Sequence, residues 1–337
     1  DRKKLLLGIE NGKINIVVGT HALIQNDIIF NSLGLVIVDE QHRFGVNQRS
    51  LLAQKGLNPH LLMMTATPIP RTLAITYHGD MDLSIIDELP KDRIPVITKT
   101  VNKDRLDKIY SFMIDEIKSG RQCIIVYPLV EESEKSDLTA AIEMHDYLSQ
   151  NIFKEMKVGL LHGRLSKDEK DVIMKDFSNN DINILISTTV IEVGIDVPNA
   201  TVMLIEHAER FGLTQLHQLR GRVGRGNKKS YCILVQRNYT ERSKKRLQIM
   251  ESTNDGFIIS DEDLKLRGPG EFFGIKQSGF LNFKIASIAT DGDLINKARD
   301  AANKLLNNDF NTLSSRNKRV YNELMNLYGD KLENAVN

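Results

Sequence analysis

The sequence has few of the features that staple or anchor a chain. It has only two cysteines, Cys123 and Cys232, each inside an apolar run and without a C-x-x-C or Cys/His partner nearby, so a zinc site or disulfide framework has no support. Buried free thiols in a reducing compartment are expected instead. No stretch approaches the ~18 uninterrupted apolar residues of a membrane-spanning helix. The start, Asp1-Arg2-Lys3-Lys4, has neither an initiator Met nor the apolar core of a signal peptide. A soluble, cytoplasmic chain that is a piece of a longer protein is therefore expected, with no membrane partner. A dominant charge is also absent, since 45 basic residues face 44 acidic ones for a net +1. Any nucleic-acid-binding face must be local. The sequence contains no internal repeat and no low-complexity tract.

What is present is a foldable α/β pattern. Hydrophobic residues make up 41% and charged residues 26% of 337, the proportions of packed globular structure. At ~150 residues per domain, the length allows two domains and a remainder. Short apolar runs recur at residues 14–18, 35–38, 61–64, 123–126, 158–161, 184–186, 202–205 and 233–235. Runs of this kind suit strands of a parallel sheet buried on both faces. Helical patterns lie between them. Ser166 and Glu169 have capping-box spacing before Val172, Ile173 and Phe177, and Leu106, Ile109, Met113 and Ile117 line one face of residues 104–118. The alternation predicts doubly wound sheets. Pro90 and Pro95 within a mixed-charge stretch mark a hinge between two lobes, at 1–92 and 93–237. From 238 to 337 the strand pattern gives way to helices, with a basic start at Arg242, Lys244, Lys245 and Arg246, and a Gly/Pro segment around Arg267-Gly268-Pro269-Gly270.

Three segments could carry chemistry. Leu35-Val36-Ile37-Val38 runs into Asp39-Glu40-Gln41-His42, which places two carboxylates at the carboxyl edge of a sheet, where open α/β folds bind ligands. There Asp39 could hold a hydrated Mg²⁺ and Glu40 could accept a proton from an attacking water. The pair taken alone fits equally well as a cap for the next helix. The matching phosphate loop, G-x-x-x-x-G-K-[ST], is missing. Gly8-Ile9-Glu10-Asn11-Gly12-Lys13-Ile14 is one residue short between its glycines, has Ile at the hydroxyl position, and reads as a helix end followed by a turn. Gln218 to Gly226 contains Arg222 and Arg225, whose spacing on a helix would project both from one face, with Gly221 and Gly224 allowing close approach. Paired guanidinium groups can clamp a γ-phosphate, although a solvated basic turn is the ordinary fate of such a segment. Ser187 to Ala200 offers hydroxyls and amides suited to phosphodiester oxygens, and its Asp196 could reach a ribose or an arginine.

Together these segments resemble the superfamily 2 helicases and translocases. Asp39 to His42 is similar to motif II in its DExH form, Thr65-Ala66-Thr67 to motif III, Ser187 to Ala200 to motif V and Gln218 to Arg225 to motif VI, in the family's order. Within the superfamily, Tyr127 to Glu134, Asp255-Gly256-Phe257, Asp263 to Gly274 and Gln277-Ser278-Gly279 resemble the RecG family of branch-migration helicases, including its translocation motif. The transcription-repair coupling factor Mfd carries a related element, and an Mfd-like motor remains an alternative, as does a DNA-binding module without hydrolysis.

The resemblance implies two RecA-like lobes, the first incomplete over 1–92 and the second at 93–237, then the translocation region at 238–337. It implies ATP and Mg²⁺ as cofactors, Asp39 as the Mg²⁺ holder through water, Glu40 as the base and Arg222 and Arg225 as arginine fingers. Gln218, Gly194, Asp196 and His42 would contact the nucleotide, and Thr65 and Thr67 would couple the sites. Gly19, Thr20, His21, Thr188 and Thr189 would contact DNA, and Arg267, Gly268, Gly270 and Gln277 would transmit lobe closure to the duplex. His42, His162 and His217 could couple sites or merely satisfy local hydrogen bonds. The expected partner is branched double-stranded DNA, with single-stranded-DNA-binding protein as a further one, and the expected state is a monomer. Without the phosphate loop, the 337 residues alone are expected to show no significant ATPase activity.

Overall fold

A computed structural model describes residues 2–40, 51, 52, 54–66, 82–88, 90, 93–128, 134–188, 197–267 and 291–306, and short pieces between 318 and 326. It has two compact units, Asp1–Pro68 and Ile69–Asn337.

In the first unit, helix α1 (Arg2–Glu10) ends in a turn. The Lys13 and Ile14 amides donate to the Gly8 carbonyl, and Gly12 takes a left-handed φ of 67°. The glycine-spaced segment is thus a helix end followed by a turn. The strand expected at 14–18 does not form: Ile16 and Val18 are 82% and 92% exposed and belong to no ladder. Hydrophobicity alone does not make a strand, whose amides need a neighbouring carbonyl row. Strands β1 (Leu35–Val38) and β2 (His60–Met63) pair in parallel, Val38 opposite Met63. Val36 and Val38 pack against Leu52. Leu35 and Ile37 are more than half exposed, which corrects the expectation that this strand is buried on both faces.

The second unit is built on an all-parallel sheet of six strands: β3 (Ile97–Asn102), β4 (Gln122–Val126), β5 (Val158–Leu161), β6 (Ile184–Ser187), β7 (Ala200–Ile205) and β8 (Tyr231–Gln236). Their order in space is β3-β8-β7-β4-β6-β5. Alternate residues of each central strand enter opposite cores. Cys123, Ile125, Ile184, Ile186, Val202 and Leu204 face one side, where helix α2 (Leu106–Lys118) contributes Ile109, Met113 and Ile117 and helix α3 (Glu134–Tyr147) contributes Ala141. Ile124, Leu185, Met203 and Leu234 face the other side. There they meet helices α4 (Lys167–Ser178), α5 (Leu213–Arg220), α6 (Glu241–Ser252) and α7 (Gly256–Arg267). Helix α8 (Gly292–Leu306) follows.

Helix α4 begins with the expected capping box: the Ser166 hydroxyl accepts the Glu169 amide, and the Glu169 carboxylate accepts the Ser166 amide at 2.7 Å. Both cysteines are free and buried. Burial pushes the Cys232 thiol up to about 12 and the Cys123 thiol higher still, so neither is a nucleophile.

Phe177 closes α4 over the sheet with no exposed surface. Phe177→Ala is expected to destabilise the second unit by ~3–5 kcal/mol through lost transfer energy and the cavity left behind. Urea unfolding checks this, and a loss below ~1 kcal/mol would mean the site collapses freely.

Candidate functional site

The carboxyl ends of β1 and β2 lie side by side, because the Met64 amide donates to the Val38 carbonyl at 2.8 Å. Asp39 and Glu40 leave one strand and Thr65 the other. Glu40 has a φ of 53°, a conformation costly for a residue with a Cβ, and its amide donates to Asp39 Oδ1 at 2.8 Å. The chain bends here, and the Asp39 carboxylate accepts the next residue's amide. Gly19, Thr20 and His21 are exposed in the same unit, with Thr20 preceding a single 3-10 turn, His21–Ile24. A Cβ at Gly19 would lie 2.9 Å from the Leu23 side chain, so the close turn itself calls for glycine. Gln41, His42, Thr67, Thr189, Gly194, Asp196, Gly268, Gly270 and Gln277 lie outside the described residues.

In the second unit the sheet's carboxyl edge carries a polar row. Register places Val126 opposite both Ser187 and Ile205, and Leu161 opposite Ser187. The next residue of each strand is His162, Thr188, Tyr127 and Glu206. Thr188 is fully buried, its amide donating to the Leu161 carbonyl at 3.2 Å. Its Oγ1, His162 Nδ1 and the Tyr127 hydroxyl have no hydrogen-bond partner among the described residues. Glu206 is also fully buried and accepts two bonds from Arg237, from Nε at 3.1 Å and Nη2 at 3.2 Å. Burial first, and the Glu206 charge second, raise the Tyr127 and Tyr110 hydroxyls far above the ordinary range. Burial, then Lys170 and Arg164, lower His162.

Helix α5 ends at Arg220, and this corrects one expectation: Arg222 and Arg225 do not share a helical face. They lie in the turns beyond, where Gly224 adopts a φ of 73° and a Cβ would strike Val96 at 2.6 Å. The glycines that were read as permitting close approach end the helix. Arg225, which is exposed, bonds through Nε to the Gly221 carbonyl at 3.1 Å, and Gln218 and Arg222 are half-buried.

Arg220, a residue that pattern reading left without a role, is the buried one. Its Nη1 reaches Thr98 Oγ1 at 3.3 Å and the Met250 and Thr253 carbonyls at 2.9 and 2.8 Å, and its Nη2 meets His217 Nδ1 at 3.0 Å. Burial, with the Arg220 charge next, holds His217 down at about 4. His217 is therefore a neutral acceptor at physiological pH.

The rest of the segment from β7 to α5 is clamped by the helices that follow the sheet. The Glu209 carboxylate accepts the Arg237 and Asn238 amides, and Arg246 donates to the Phe211 and Glu209 carbonyls, both at 2.9 Å. Arg267 pairs with the buried Asp263 at 2.9 Å, and Asp263 also accepts from Thr214 at 3.2 Å. A Cβ on Gly212, the N-cap of α5, would collide with the Arg267 guanidinium. Sequence offered one signal for Arg246: it falls on the face of α6 marked by Ser243, Leu247 and Met250, all buried. Nothing in the pattern pointed to Glu209 or Glu206.

Comparison with known proteins places these parts. Three family models match in chain order: DEAD/DEAH box helicase over residues 1–75, Helicase conserved C-terminal domain over 104–227, and ATP-dependent DNA helicase RecG, domain 3, C-terminal over 253–336. ATP-dependent DNA helicase RecG of Bacillus subtilis is 54% identical over 92% of this chain and 46% of its own length. That of Thermotoga maritima is 53% identical over 89% of this chain and 38% of its own. The chain thus spans less than half the length of these relatives. A solved structure of RecG bound to a three-way DNA junction is 49% identical, with a TM-score of 0.67 over 87% of this chain and 38% of that one. With more than half of its residues identical over about nine-tenths of its length, and a matching fold, this chain belongs to the RecG family of DNA helicases.

Proposed function

We propose that this chain forms the catalytic and coupling parts of an ATP-driven translocase that remodels branched double-stranded DNA, such as stalled forks and Holliday junctions. The observation that carries this reading is the Asp39–Glu40 pair at the carboxyl edge of a parallel strand pair, beside Thr65, in a chain whose relatives are named DNA helicases. The branched substrate rests on the likeness to a protein solved on a three-way junction.

Two adjacent carboxylates suit a hydrated Mg²⁺, which takes one or two carboxylates and keeps most of its waters. Asp39 would hold it through water, and the ion supplies charge neutralisation at the phosphates. Glu40 takes the proton of the attacking water. Gln218, Gly194, Asp196 and His42 contact the nucleotide, and Arg222 and Arg225 neutralise charge that develops on the transferred phosphoryl group. Gly19, Thr20, His21 and Thr189 meet the DNA backbone, Thr188 is buried behind that contact in this structure, and Thr65 and Thr67 link hydrolysis to it.

Movement passes from the arginines through α5, which Arg220 ties to α6 and the Thr214–Asp263 bond ties to α7, while Arg246 holds the segment just before α5. Arg267, Gly268, Gly270 and Gln277 carry it to the duplex. Phosphate contacts hold no base sequence, so recognition follows DNA shape and weakens steeply with salt. A monomeric motor, with single-stranded-DNA-binding protein as an accessory partner, completes the reading. Two buried free thiols fit a reducing, cytoplasmic setting, and no helix among the described residues is long and apolar enough to cross a membrane.

Two substitutions in the full-length protein test the reading. Glu40→Gln is expected to abolish ATP turnover on junction DNA while nucleotide affinity is kept. Normal turnover would remove Glu40 as the base. Arg225→Ala is expected to slow hydrolysis by about 10³-fold or more. An unchanged steady-state rate would reduce Arg225 to a surface charge.

A further inference from the structure

The basic cluster at 242–246 is divided by the fold. Arg246 turns inward to the Phe211 and Glu209 carbonyls, and Arg242 donates to the Leu266 carbonyl at 3.3 Å. Lys245 is exposed and Lys244 half-exposed on the outer side of α6. Beside them Tyr239 is 60% exposed, although tyrosines usually bury most of their ring. The ring is held in place: its hydroxyl donates to Glu241 at 3.2 Å, and Lys244 Nζ stands 5.7 Å from its centroid. The neighbouring acids are already engaged, Glu206 by Arg237 and Glu209 by two backbone amides. Glu241, on the tyrosine hydroxyl, is exposed beside them.

We propose that Tyr239, Lys244 and Lys245 form a further contact for the sugar-phosphate backbone of duplex DNA. The inference rests on the translocase reading above. Tyr239 lies in the turn directly after β8, so the patch continues the sheet's carboxyl edge, the edge that ends β6 at Thr188. Lysines are point charges that suit phosphate without base readout, and an anchored ring with a cation on one side leaves the other side to pack against a deoxyribose. A sequence-independent grip of this kind is what a translocase needs as it steps.

The test uses the full-length protein and a labelled three-way junction, with affinity measured across a salt series. Lys244→Gln/Lys245→Gln is expected to flatten the log-affinity against log-salt slope by about two and to weaken binding up to about tenfold near 0.1 M salt. ATP turnover without DNA should stay unchanged. Lys244→Arg/Lys245→Arg should restore the slope, which separates lost charge from misfolding. Tyr239→Ala should weaken binding several-fold and Tyr239→Phe should not. An unchanged slope and affinity in the glutamine double variant, with the parent binding normally, would overturn the inference. Failure of the arginine variant to restore the slope would also overturn it. Failure of the parent itself to bind the junction would instead remove the translocase reading.

Discussion

A parallel sheet covered by helices on both faces has nowhere to keep chemistry except its ends. In the second unit the central strands β4, β6 and β7 are buried at every position. Polar side chains therefore gather where the strands stop, in the row from His162 through Thr188 and Tyr127 to Glu206. The same rule places Asp39, Glu40 and Thr65 at strand ends in the first unit. Such an edge is open to ligands while the hydrophobic cores behind it hold its geometry.

Guanidinium groups then carry position from that edge into the helices. Arg220 is inside the protein and is satisfied by a threonine hydroxyl, two helix-end carbonyls and a neutral histidine. A charge buried in this way is costly unless its donors find acceptors, and these come from β3, α6, the turn after α6 and, through His217, α5 itself. Arg246 and Arg267 act at the other end of α5, on the carbonyls before it and on its N-cap glycine. The helix that leads to Arg222 and Arg225 is thus attached near both ends to α6 and α7. A shift of α5 relative to α6 and α7 has to break the Arg220–Met250 and Thr214–Asp263 bonds.

Much of this was legible in the sequence because β-branched runs and helical periodicity report burial directly. The strands at 35–38, 123–126, 158–161, 184–186, 202–205 and 233–235 lie within observed strands, as does the α2 face with Ile109, Met113 and Ile117. Strand β3 was missed because Lys99 and Thr100 break its apolar pattern at a half-exposed sheet edge. The run at 14–18 misled for the opposite reason, since it has the residue types of a strand and no neighbour. The acid pair could be read because a strand end and two carboxylates are local features. Arg220 and the Glu206–Arg237 pair could not, because their meaning depends on partners about 30 or more residues away. The Arg222–Arg225 spacing failed as a helical face because Gly221 and Gly224 end the helix first.

The central claim is that Glu40 and the Arg222–Arg225 pair serve the same step of ATP hydrolysis. A double-mutant cycle on single-turnover hydrolysis, in the full-length protein with junction DNA, tests it most directly. The losses caused by Glu40→Gln and by Arg222→Ala/Arg225→Ala should fall far short of adding when the changes are combined, because both act on one chemical step. Losses that simply add would contradict the account.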